Sequence, residues 1–371
     1  MYYYCIDGLV SKGGKKLIVT NTLLQLQIQE EIGHEGRNST VNKAFDPQLN
    51  ALFVVKKIPK SDFSSADEYF QESQMLYGVQ HPNIVPIRYA SQDQNTIYLT
   101  MEYLEKGSLN KMLNERSLTV REVIKYSLEF LSGIHYMHTK NLVHFDIKPT
   151  NILINNAGKA VVTDFGLSRY LNEQGFAYPD KFYCLHAPIE AYDPSLGGFS
   201  LYSDIYQAGA TIYRMCNGNT FLEEQFDDLN ISDENDFAEA LKAERFPKKD
   251  AFLPHIPLKL RNIVRKSLSL DPAARHETIL DMINEISIID ENLDWSYNII
   301  TNEHSEFVRN EENCDYTFKI VVTKQGDNHW KTEGFKVRNL DGKSTRVTKW
   351  NSNGYTSKKE AFQALEKLLK V

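Results

Sequence analysis

The chain has 371 residues, of which 42% are hydrophobic and 25% charged, with four cysteines and a formal net charge of −7. These values exclude a disordered or collagen-like chain, predict two or three domains, and argue against nucleic-acid binding along the whole length. No apolar run reaches the roughly eighteen residues of a membrane helix and the cysteines form no zinc motif, so we expect a cytoplasmic protein without a membrane partner.

The first third of the chain alternates apolar and polar residues in the way that predicts strands. Residues 17–58 contain LIVT, LLQLQIQ and ALFVVKKI, which favour a small antiparallel sheet joined by turns. Residues 67–79 have helical spacing instead, and Pro82 cannot continue that helix. TIYLTMEYL returns to strand, and from residue 117 to 289 helical periodicity dominates. A sheet-rich part therefore precedes a helix-rich part.

The end of the chain returns to strand patterning and reverses its charge. YTFKIVVTK, HWKTEGFKV and STRVTKW precede the helical segment SKKEAFQALEKLLK. From Tyr316 onward there are twelve Lys and Arg against five Asp and Glu. We therefore divide this α+β chain into an N-terminal strand extension (1–24), a main domain (25–290), a linker (291–315) and a small basic βββα domain (316–371).

The segments HFDIKPTNILI and VVTDFG carry the chemistry of the chain. They place Asp146, Lys148, Asn151 and Asp164 at fixed offsets. In-line transfer of a γ-phosphate needs a carboxylate to orient the attacking hydroxyl, a cation to offset developing charge, and oxygen ligands for Mg²⁺. Asp146 and Lys148 match the first two needs, and Asn151 with Asp164 matches the third.

These motifs resemble those of the eukaryotic-type, or Hanks-type, serine/threonine protein kinases, and the resemblance covers residues 25–290. It implies a bilobal fold, with a β-rich N-lobe and a helical C-lobe, in a bacterial-like stand-alone member. In FVVKKI it identifies Lys56 as the phosphate-binding lysine, with Lys57 as its neighbour. In ESQMLYGVQHPNIV it identifies Glu72 as the helix glutamate that pairs with this lysine.

The same resemblance implies a binding site for ATP and Mg²⁺. Asn151 and Asp164 would hold the metal. The glycine-rich loop reads EIGHEGRNSTV, with Ser39 where the third glycine usually stands. The resemblance implies that two residues offer backbone hydrogen bonds to the nucleotide, Glu102 and Leu104. The other residues that it implies around the nucleotide are Ile32, Gly33, Gly36, Val41, Val54, Lys56, Met101, Leu153 and Asp164.

Three segments of the helix-rich part extend the resemblance: HAPIE, SDIYQAGATIY and LDPAAR. They imply that Asp204 holds the backbone of the catalytic loop. They also imply that Arg275 forms a buried ion pair with Glu190, and the loss of such a pair is strongly destabilising.

Besides Ser39, two positions depart from the family pattern. Phe145 stands where many relatives have an arginine that binds a phosphate on the activation segment, and a phenylalanine cannot pair with phosphate. We therefore predict that activity does not depend on activation-segment phosphorylation through this residue. In DKFYCLHAP, Phe182 occupies the place of the usual threonine or serine.

Three functions compete for this chain: an active protein kinase, a pseudokinase that serves as a scaffold, and a small-molecule phosphotransferase. A pseudokinase usually lacks one of the key residues, whereas Lys56, Asp146, Asn151 and Asp164 are all present. The Lys148 spacing and the DFG sequence argue against a small-molecule enzyme. The sequence therefore favours a serine/threonine kinase that acts on protein substrates and on itself.

The basic C-terminal segment leaves two partners open. Its aromatic residues alternate with basic ones, which suits base stacking combined with phosphate contacts in nucleic-acid binding. The alternative is docking on the acidic kinase lobe with the aromatic residues in the core, which the opposite net charges favour. The residues concerned are Trp330, Phe335 and Trp350 with Lys331, Lys336, Arg338 and Lys349.

Overall fold

The computed structural model describes residues 8–12, 15–19, 23–33, 40–63, 65–179, 181–311, 313–327 and 329–369. Among the described residues, no helix combines the length and the apolar character that crossing a bilayer requires. The chain divides into two compact units. The first unit comprises Met1–Tyr77 with Pro86–Tyr103, and the second comprises Gly78–Val85 with Leu104–Val371.

In its described residues, the first unit is built from antiparallel strands and one α-helix. Within the same residues, β1 and β2 form a separate two-stranded sheet, and the other five strands form a sheet in the order β3-β4-β5-β7-β6. The elements are β1 (Gly8–Lys12), β2 (Lys15–Val19), β3 (Gln27–Gly33), β4 (Thr40–Asp46), β5 (Ala51–Pro59), α1 (Gln71–Gly78), β6 (Ile87–Gln92) and β7 (Thr96–Glu102).

Side-chain alternation along β5 sets the two faces of this sheet. Phe53 and Val55 are buried on one face, and the intervening residues point to the other because successive strand residues alternate. The carboxylate of Asp46 closes the turn into β5 by accepting the backbone N–H groups of Gln48 and Leu49 at 2.8 and 3.0 Å. The turn thereby fixes the register between β4 and β5.

The second unit begins with a helical region whose described residues include four short strands. The strands pair antiparallel, β8 with β11 and β9 with β10. The elements are α2 (Leu109–Glu115), α3 (Val120–His138), β8 (Leu142–Val143), β9 (Ile152–Ile154), β10 (Ala160–Val162), β11 (Arg169–Tyr170), α4 (Leu201–Asn217), α5 (Asn219–Asp227), α6 (Glu234–Lys242), α7 (Leu258–Ser267) and α8 (Ile279–Ser287).

Two long helices form the centre of this region. α3 starts at a capping box in which Thr119 and Glu122 satisfy each other's backbone N–H groups. α4 starts at a second capping box on Ser200 and is buried along almost its whole length. The polar side chains of a helix buried on all sides must find hydrogen-bond partners inside the protein. Those of α4 find partners on the loop between β8 and β9.

The C-terminal part is a larger sheet than the sequence predicted. Its strands lie in the order β12-β13-β14-β15-β16, and β17 also pairs with β15. The elements are β12 (Trp295–Thr301), β13 (His304–Asn310), β14 (Tyr316–Lys324), β15 (Trp330–Arg338), β16 (Ser344–Arg346), β17 (Ser352–Tyr355) and α9 (Lys358–Leu369). Together they are called the tail domain below.

The prediction of a linker at 291–315 was wrong, because this segment contributes β12 and β13 to the sheet. With these two strands and β17, which the prediction also missed, the described part of the tail domain has six strands. In β12 and β13 the buried residues Trp295, Tyr297 and Phe307 alternate with Ser, Asn and Glu. This period-2 pattern belongs to strands that are half solvated. In the acidic segment NEENCD, Asn310 ends β13, and residues 311–315 lie between β13 and β14 in the sequence.

Aromatic residues fill the core of the tail domain. The ring of Tyr297 lies 4.9 Å from that of Phe307, and both pack edge-on against Phe362 of α9. Trp350 packs against Gly334 of β15, where an added Cβ would lie 2.6 Å from the Trp350 Cβ. Glycine is therefore required at this position for the close approach.

Candidate active site

In the first unit, Lys56 and Glu72 form an ion pair. Lys56 Nζ lies 2.8 Å from Glu72 Oε1, and the two side chains are only 10% and 15% exposed. A charge-assisted hydrogen bond between largely buried groups is stronger than one at the surface. The predicted pairing of Lys56 with Glu72 is therefore present, and Lys57 points to the other face of β5.

The residues predicted to surround the base share a face of the same sheet. The strand register places Val41 opposite Lys56, and Val54 opposite Met101. Directly opposed residues project to the same side of an antiparallel sheet. The four side chains therefore form one surface, and its lysine is the one held by the helix glutamate.

The glycine-rich loop is only partly described. Ile32 lies in β3 with 40% of its surface exposed, and Gly33 ends that strand opposite Val41. Gly36 and Ser39 lie outside the described residues. At the other end of this unit, Glu102 ends β7 and its carboxylate pairs with Arg88 at 2.8 Å.

In the second unit, residues 144–151 hold Asp146 by one of its two carboxylate oxygens. Oδ2 accepts a hydrogen bond from Asn151 Nδ2 at 2.7 Å and lies 2.9 Å from Lys148 Nζ. Oδ1 is buried and has no hydrogen-bond partner in the described part of the chain. A buried carboxylate oxygen without a partner is costly unless a ligand reaches it. The loop therefore presents an acceptor for an incoming hydroxyl group.

His144 connects this loop to the segment that leads to Asp164. Its Nδ1 accepts the backbone N–H of Asp146 at 3.2 Å, and its Nε2 lies 3.0 Å from the carbonyl oxygen of Thr163. Because Nδ1 is an acceptor, the proton of the neutral ring is on Nε2, which donates to that carbonyl. His144 thus bonds the segment that carries Asp146 to the segment that leads to Asp164.

The backbone of residues 144–151, called the catalytic loop, is bonded to Asp204 of α4. Its Oδ2 accepts the N–H of His144 at 2.9 Å, and its Oδ1 accepts that of Phe145 at 2.8 Å. His138 Nε2 lies 2.8 Å from the same Oδ2. The prediction that Asp204 holds the loop is confirmed, whereas no sequence pattern indicated His138.

Two further residues of α4 hold the loop and were missed. Gln207 accepts the N–H of Ile147 at 2.9 Å and donates to the carbonyl oxygen of Phe145 at 2.8 Å. Thr211 Oγ1 donates to the carbonyl oxygen of Ile147 at 3.3 Å. With Asp204 these residues recur at spacings of three and four, so they lie on one face of α4. That polar stripe is the signal that could have identified them.

Asn151 and Asp164 offer oxygen ligands of the kind that hard divalent cations prefer. Asn151 uses its Nδ2 to bond the backbone carbonyl and Oδ2 of Asp146, at 2.9 and 2.7 Å, so its Oδ1 remains the acceptor. Asp164 has a left-handed backbone with φ of 62°, and such strain is frequent at functional sites. An amide oxygen and a carboxylate therefore fit a metal that also binds phosphate oxygens.

The remaining nucleotide residues lie in the second unit. Leu153 is half-buried between two fully buried neighbours in β9 and lies opposite Val161. Leu104 is buried, and its carbonyl oxygen accepts the N–H of Gly107 at 3.1 Å. That Leu153 and Leu104 bind the nucleotide stays a prediction. The same holds for the nucleotide-binding residues proposed in the first unit.

The sequence profile of the protein kinase domain matches residues 26–285. The chain belongs to the protein kinase family. The predicted resemblance and the α+β kinase fold, with a β-sheet N-lobe and a helical C-lobe, are thereby confirmed. Kinases of this family use ATP and a divalent metal. The tail domain lies beyond the matched residues.

Curated relatives agree with this assignment. The probable serine/threonine-protein kinase PknB of Lactococcus lactis is 25% identical over 268 residues, covering 70% of this chain and 41% of the relative. PrkC of Bacillus subtilis, a serine/threonine-protein kinase, is 28% identical over 243 residues (63% and 36%). The probable serine/threonine-protein kinase samkB of Dictyostelium discoideum is 33% identical over 208 residues (53% and 34%). This kinase chain thus matches about two fifths or less of each relative's length.

The implied ion pair between Glu190 and Arg275 is present in the kinase domain. The guanidinium group binds both carboxylate oxygens, at 2.6 and 2.8 Å, and the side chains are 1% and 0% exposed. Ser203 Oγ also donates to Glu190 at 2.9 Å. In HAPIE, Ile189 is one residue more before Glu190 than the usual family spacing, and it does not prevent the pairing.

Phe145 lies in an apolar cluster of the kinase domain, where many relatives have a phosphate-binding arginine. It is fully buried and packs with Val143, Ala177 and Phe199, and the half-buried Phe182 packs against the same cluster. Ala177 also pairs with Phe199 through an isolated β-bridge. Apolar contacts and backbone hydrogen bonds thus hold this part of the activation segment (residues 164–190).

Proposed function

We propose that this protein is an ATP-dependent serine/threonine protein kinase that transfers the γ-phosphate of ATP to hydroxyl groups of proteins, including its own. One observation carries the proposal: the Asp146 carboxylate has one oxygen held by Asn151 and Lys148, and the other is buried without a partner among the residues that the structure describes. A scaffold has no need for such an acceptor. The free-energy cost of burying this oxygen is explained if a substrate hydroxyl binds to it.

The reaction is a direct transfer. The hydroxyl oxygen of the substrate forms the new O–P bond, while the bond from the γ-phosphorus to the bridging oxygen breaks and ADP leaves with the electron pair. Asp146 orients the hydroxyl and receives its proton through Oδ1. Lys148, 2.9 Å from Oδ2, offsets charge on the moving phosphoryl group.

Two further groups serve the nucleotide. Lys56, held by Glu72 at 2.8 Å, would bind the α- and β-phosphates. Mg²⁺ would be held by Asn151 and Asp164, and when bound it neutralises charge on the phosphate oxygens. The spacing of Lys148 from Asp146 and the names of the relatives support serine and threonine as acceptors.

The experiment compares the wild type with the Asp146→Asn variant in Mg²⁺ and γ-labelled ATP, with a generic basic protein as substrate. We expect label on the wild type and on the substrate, mainly as phosphoserine and phosphothreonine, and at least about a hundredfold less with the variant. The exposed Asp327→Asn serves as the matched control. Equal labelling by Asp146→Asn would refute the proposal, and so would an unlabelled wild type that binds ATP.

We also propose that the tail domain docks on the helical lobe as a fixed part of the kinase. Arg261 of α7 lies 2.9 Å from Glu366 of α9, and its other nitrogens donate to three carbonyl groups of residues 253–256. The ring of Phe307 packs edge-on against that of His255 at 5.6 Å. An ion pair and a ring contact thus support docking.

Nucleic-acid binding by the tail domain has less support. Trp330 and Trp350 are only 9% and 4% exposed, so neither presents an open face on which a base can stack. The Glu366→Gln variant tests docking: we expect faster hydrogen exchange in α9 and in residues 253–256, but not with the control Glu303→Gln. Unchanged exchange, or a salt-dependent shift of labelled RNA or DNA by the wild type, would count against docking.

A further inference from the structure

An aromatic ring lies beside the catalytic lysine. The Nζ of Lys148 lies over the ring of Tyr183, 4.7 Å from its centroid, and 2.9 Å from Asp146 Oδ2. The lysine side chain is 15% exposed. Its ammonium group is therefore held between a carboxylate oxygen and the negative face of an aromatic ring, which attracts cations.

The catalytic loop itself holds the ring of Tyr183. His186 packs against this ring with centroids 5.4 Å apart, and its N–H donates to the Tyr183 carbonyl oxygen at 3.1 Å. The Nδ1 of His186 donates to the carbonyl oxygen of Ile147, next to Lys148, at 2.9 Å. Tyr183 thus occupies a position fixed by the loop that carries the lysine.

His186 is buried and stays neutral in this position. It is 1% exposed. Burial, helped by the nearby charge of Arg214, lowers the pKa of His186 well below its usual value. A neutral imidazole with its proton on Nδ1 keeps donating to the Ile147 carbonyl oxygen over the physiological pH range. The connection between Tyr183 and the loop does not change with pH in this range.

The residue before Tyr183 does not supply a hydroxyl group to the lysine. Phe182 points elsewhere: its ring lies 5.3 Å from that of Tyr192 and 6.1 Å from that of Phe199. Position 182 belongs to the apolar cluster around Phe145. This segment therefore contacts Lys148 through the ring of Tyr183 and not through a hydroxyl group at position 182.

We propose that Tyr183 is a positioning residue that holds the Lys148 ammonium group beside Asp146 through its aromatic face, an inference that rests on the proposed kinase function. Loss of the ring frees the lysine to adopt other rotamers, so fewer enzyme molecules have its charge at the transferring phosphate. This loss affects transition-state stabilisation and leaves the binding of ATP unchanged. The change therefore appears in kcat and not in KM for ATP.

The test is steady-state kinetics of Tyr183→Leu and Tyr183→Phe with ATP and a protein substrate. We expect Tyr183→Leu to lower kcat about tenfold, the rate equivalent of one cation–π contact, with KM for ATP unchanged. Tyr183→Phe keeps the ring and should stay within about twofold of the wild type. Tyr170→Leu, at a tyrosine that is 54% exposed in β11, is the matched control.

Thermal unfolding separates positioning from loss of structure. If Tyr183→Leu does not fold, Tyr183→Met fills similar space without an aromatic face and should show the same loss of kcat. Folded Leu or Met variants with the kcat of the wild type would overturn the inference, and so would a Tyr183→Phe variant as slow as Tyr183→Leu. An inactive wild type would instead refute the proposed kinase function.

Discussion

The ring of Phe145 packs edge-on against that of Phe199, with centroids 5.3 Å apart and 74° between the ring planes. Phe145 directly precedes the proposed catalytic aspartate, and Phe199 precedes the capping box of α4. Phe182 joins them from the activation segment. The three rings therefore link the catalytic loop, the activation segment and α4 through apolar packing, where many relatives rely on a phosphate and an arginine.

The first prediction concerns phosphorylation. Because Phe145 cannot bind a phosphate and the apolar cluster holds the segment, kinase treated with a broad-specificity phosphatase should keep most of its initial rate. The measurement is transfer to an added protein substrate immediately after the phosphatase is removed, with a mock-treated sample as the control. Loss of activity that returns on autophosphorylation would contradict the prediction.

The second prediction concerns a charge in the same cluster. Phe145→Arg buries a guanidinium group among apolar side chains and should lower the free energy of unfolding by about 3 kcal/mol or more. Phe145→Leu, which keeps an apolar side chain, should cost no more than about 2 kcal/mol. Urea unfolding measures both. An Arg variant as stable as the Leu variant would show that the site accepts a charge.

The third prediction concerns the Lys56–Glu72 pair. Lys56→Met removes the charge proposed to bind phosphates and should lower kcat/KM for ATP about a hundredfold or more. Glu72→Gln keeps a hydrogen bond but loses the ion pair, so we expect a smaller loss of about tenfold. Lys57→Met is the matched control on the opposite face of β5. If Lys57→Met were the more damaging change, the lysine assignment would be wrong.

The fourth prediction concerns the buried pair of Glu190 and Arg275. Glu190→Gln leaves a guanidinium group without its charge partner and should cost about 3–5 kcal/mol of unfolding free energy. The double variant Glu190→Met with Arg275→Met should cost less than the two single changes added together. Glu244→Gln, which breaks an exposed pair with Lys249, should cost less than about 1 kcal/mol. Similar costs for Glu190→Gln and Glu244→Gln would argue against a structural pair.

The fifth prediction is a dependence on pH. Burial, with the charge of Arg261, lowers the pKa of His255 from 6.5 to about 3 in the folded protein. Below pH 6.5 the unfolded chain therefore binds a proton that the folded protein does not, so stability is lost as the pH falls. For this histidine we expect a loss on the order of 2 kcal/mol between about pH 6.5 and 5.

The His255→Phe variant is the test of this assignment. It keeps a ring against Phe307 but does not titrate, so its unfolding free energy should fall less over the same pH range. The difference between the two proteins, measured by urea unfolding at several pH values, isolates the histidine. Parallel curves for the variant and the wild type would assign the acid sensitivity to other groups.

The proposed catalytic residues could be predicted because they depend on local geometry. Asp146, Lys148 and Asn151 lie within six residues, and their mutual hydrogen bonds require little from the rest of the fold. Lys56 and Glu72 could be found because a strand and a helix in fixed order carry them. Their roles on ATP stay predictions, as do those of the nucleotide-binding residues.

The residues that hold the catalytic loop by hydrogen bonds could not all be predicted. Gln207, Thr211 and His186 reach the loop across 39 to 64 residues of sequence. A polar residue in a helical segment is usually read as solvent-facing, and only tertiary packing buries these three. The missed strands β12 and β13 have a related cause, because half-solvated strands carry as many polar as apolar residues.

The attachment of the catalytic loop to α4 has a consequence for hydrogen exchange. The amide protons of His144, Phe145 and Ile147 are bonded to Asp204 and Gln207, side chains of a helix buried on all sides. These protons cannot exchange while the loop stays bonded to α4. They should exchange slowly, only when the loop separates from that helix.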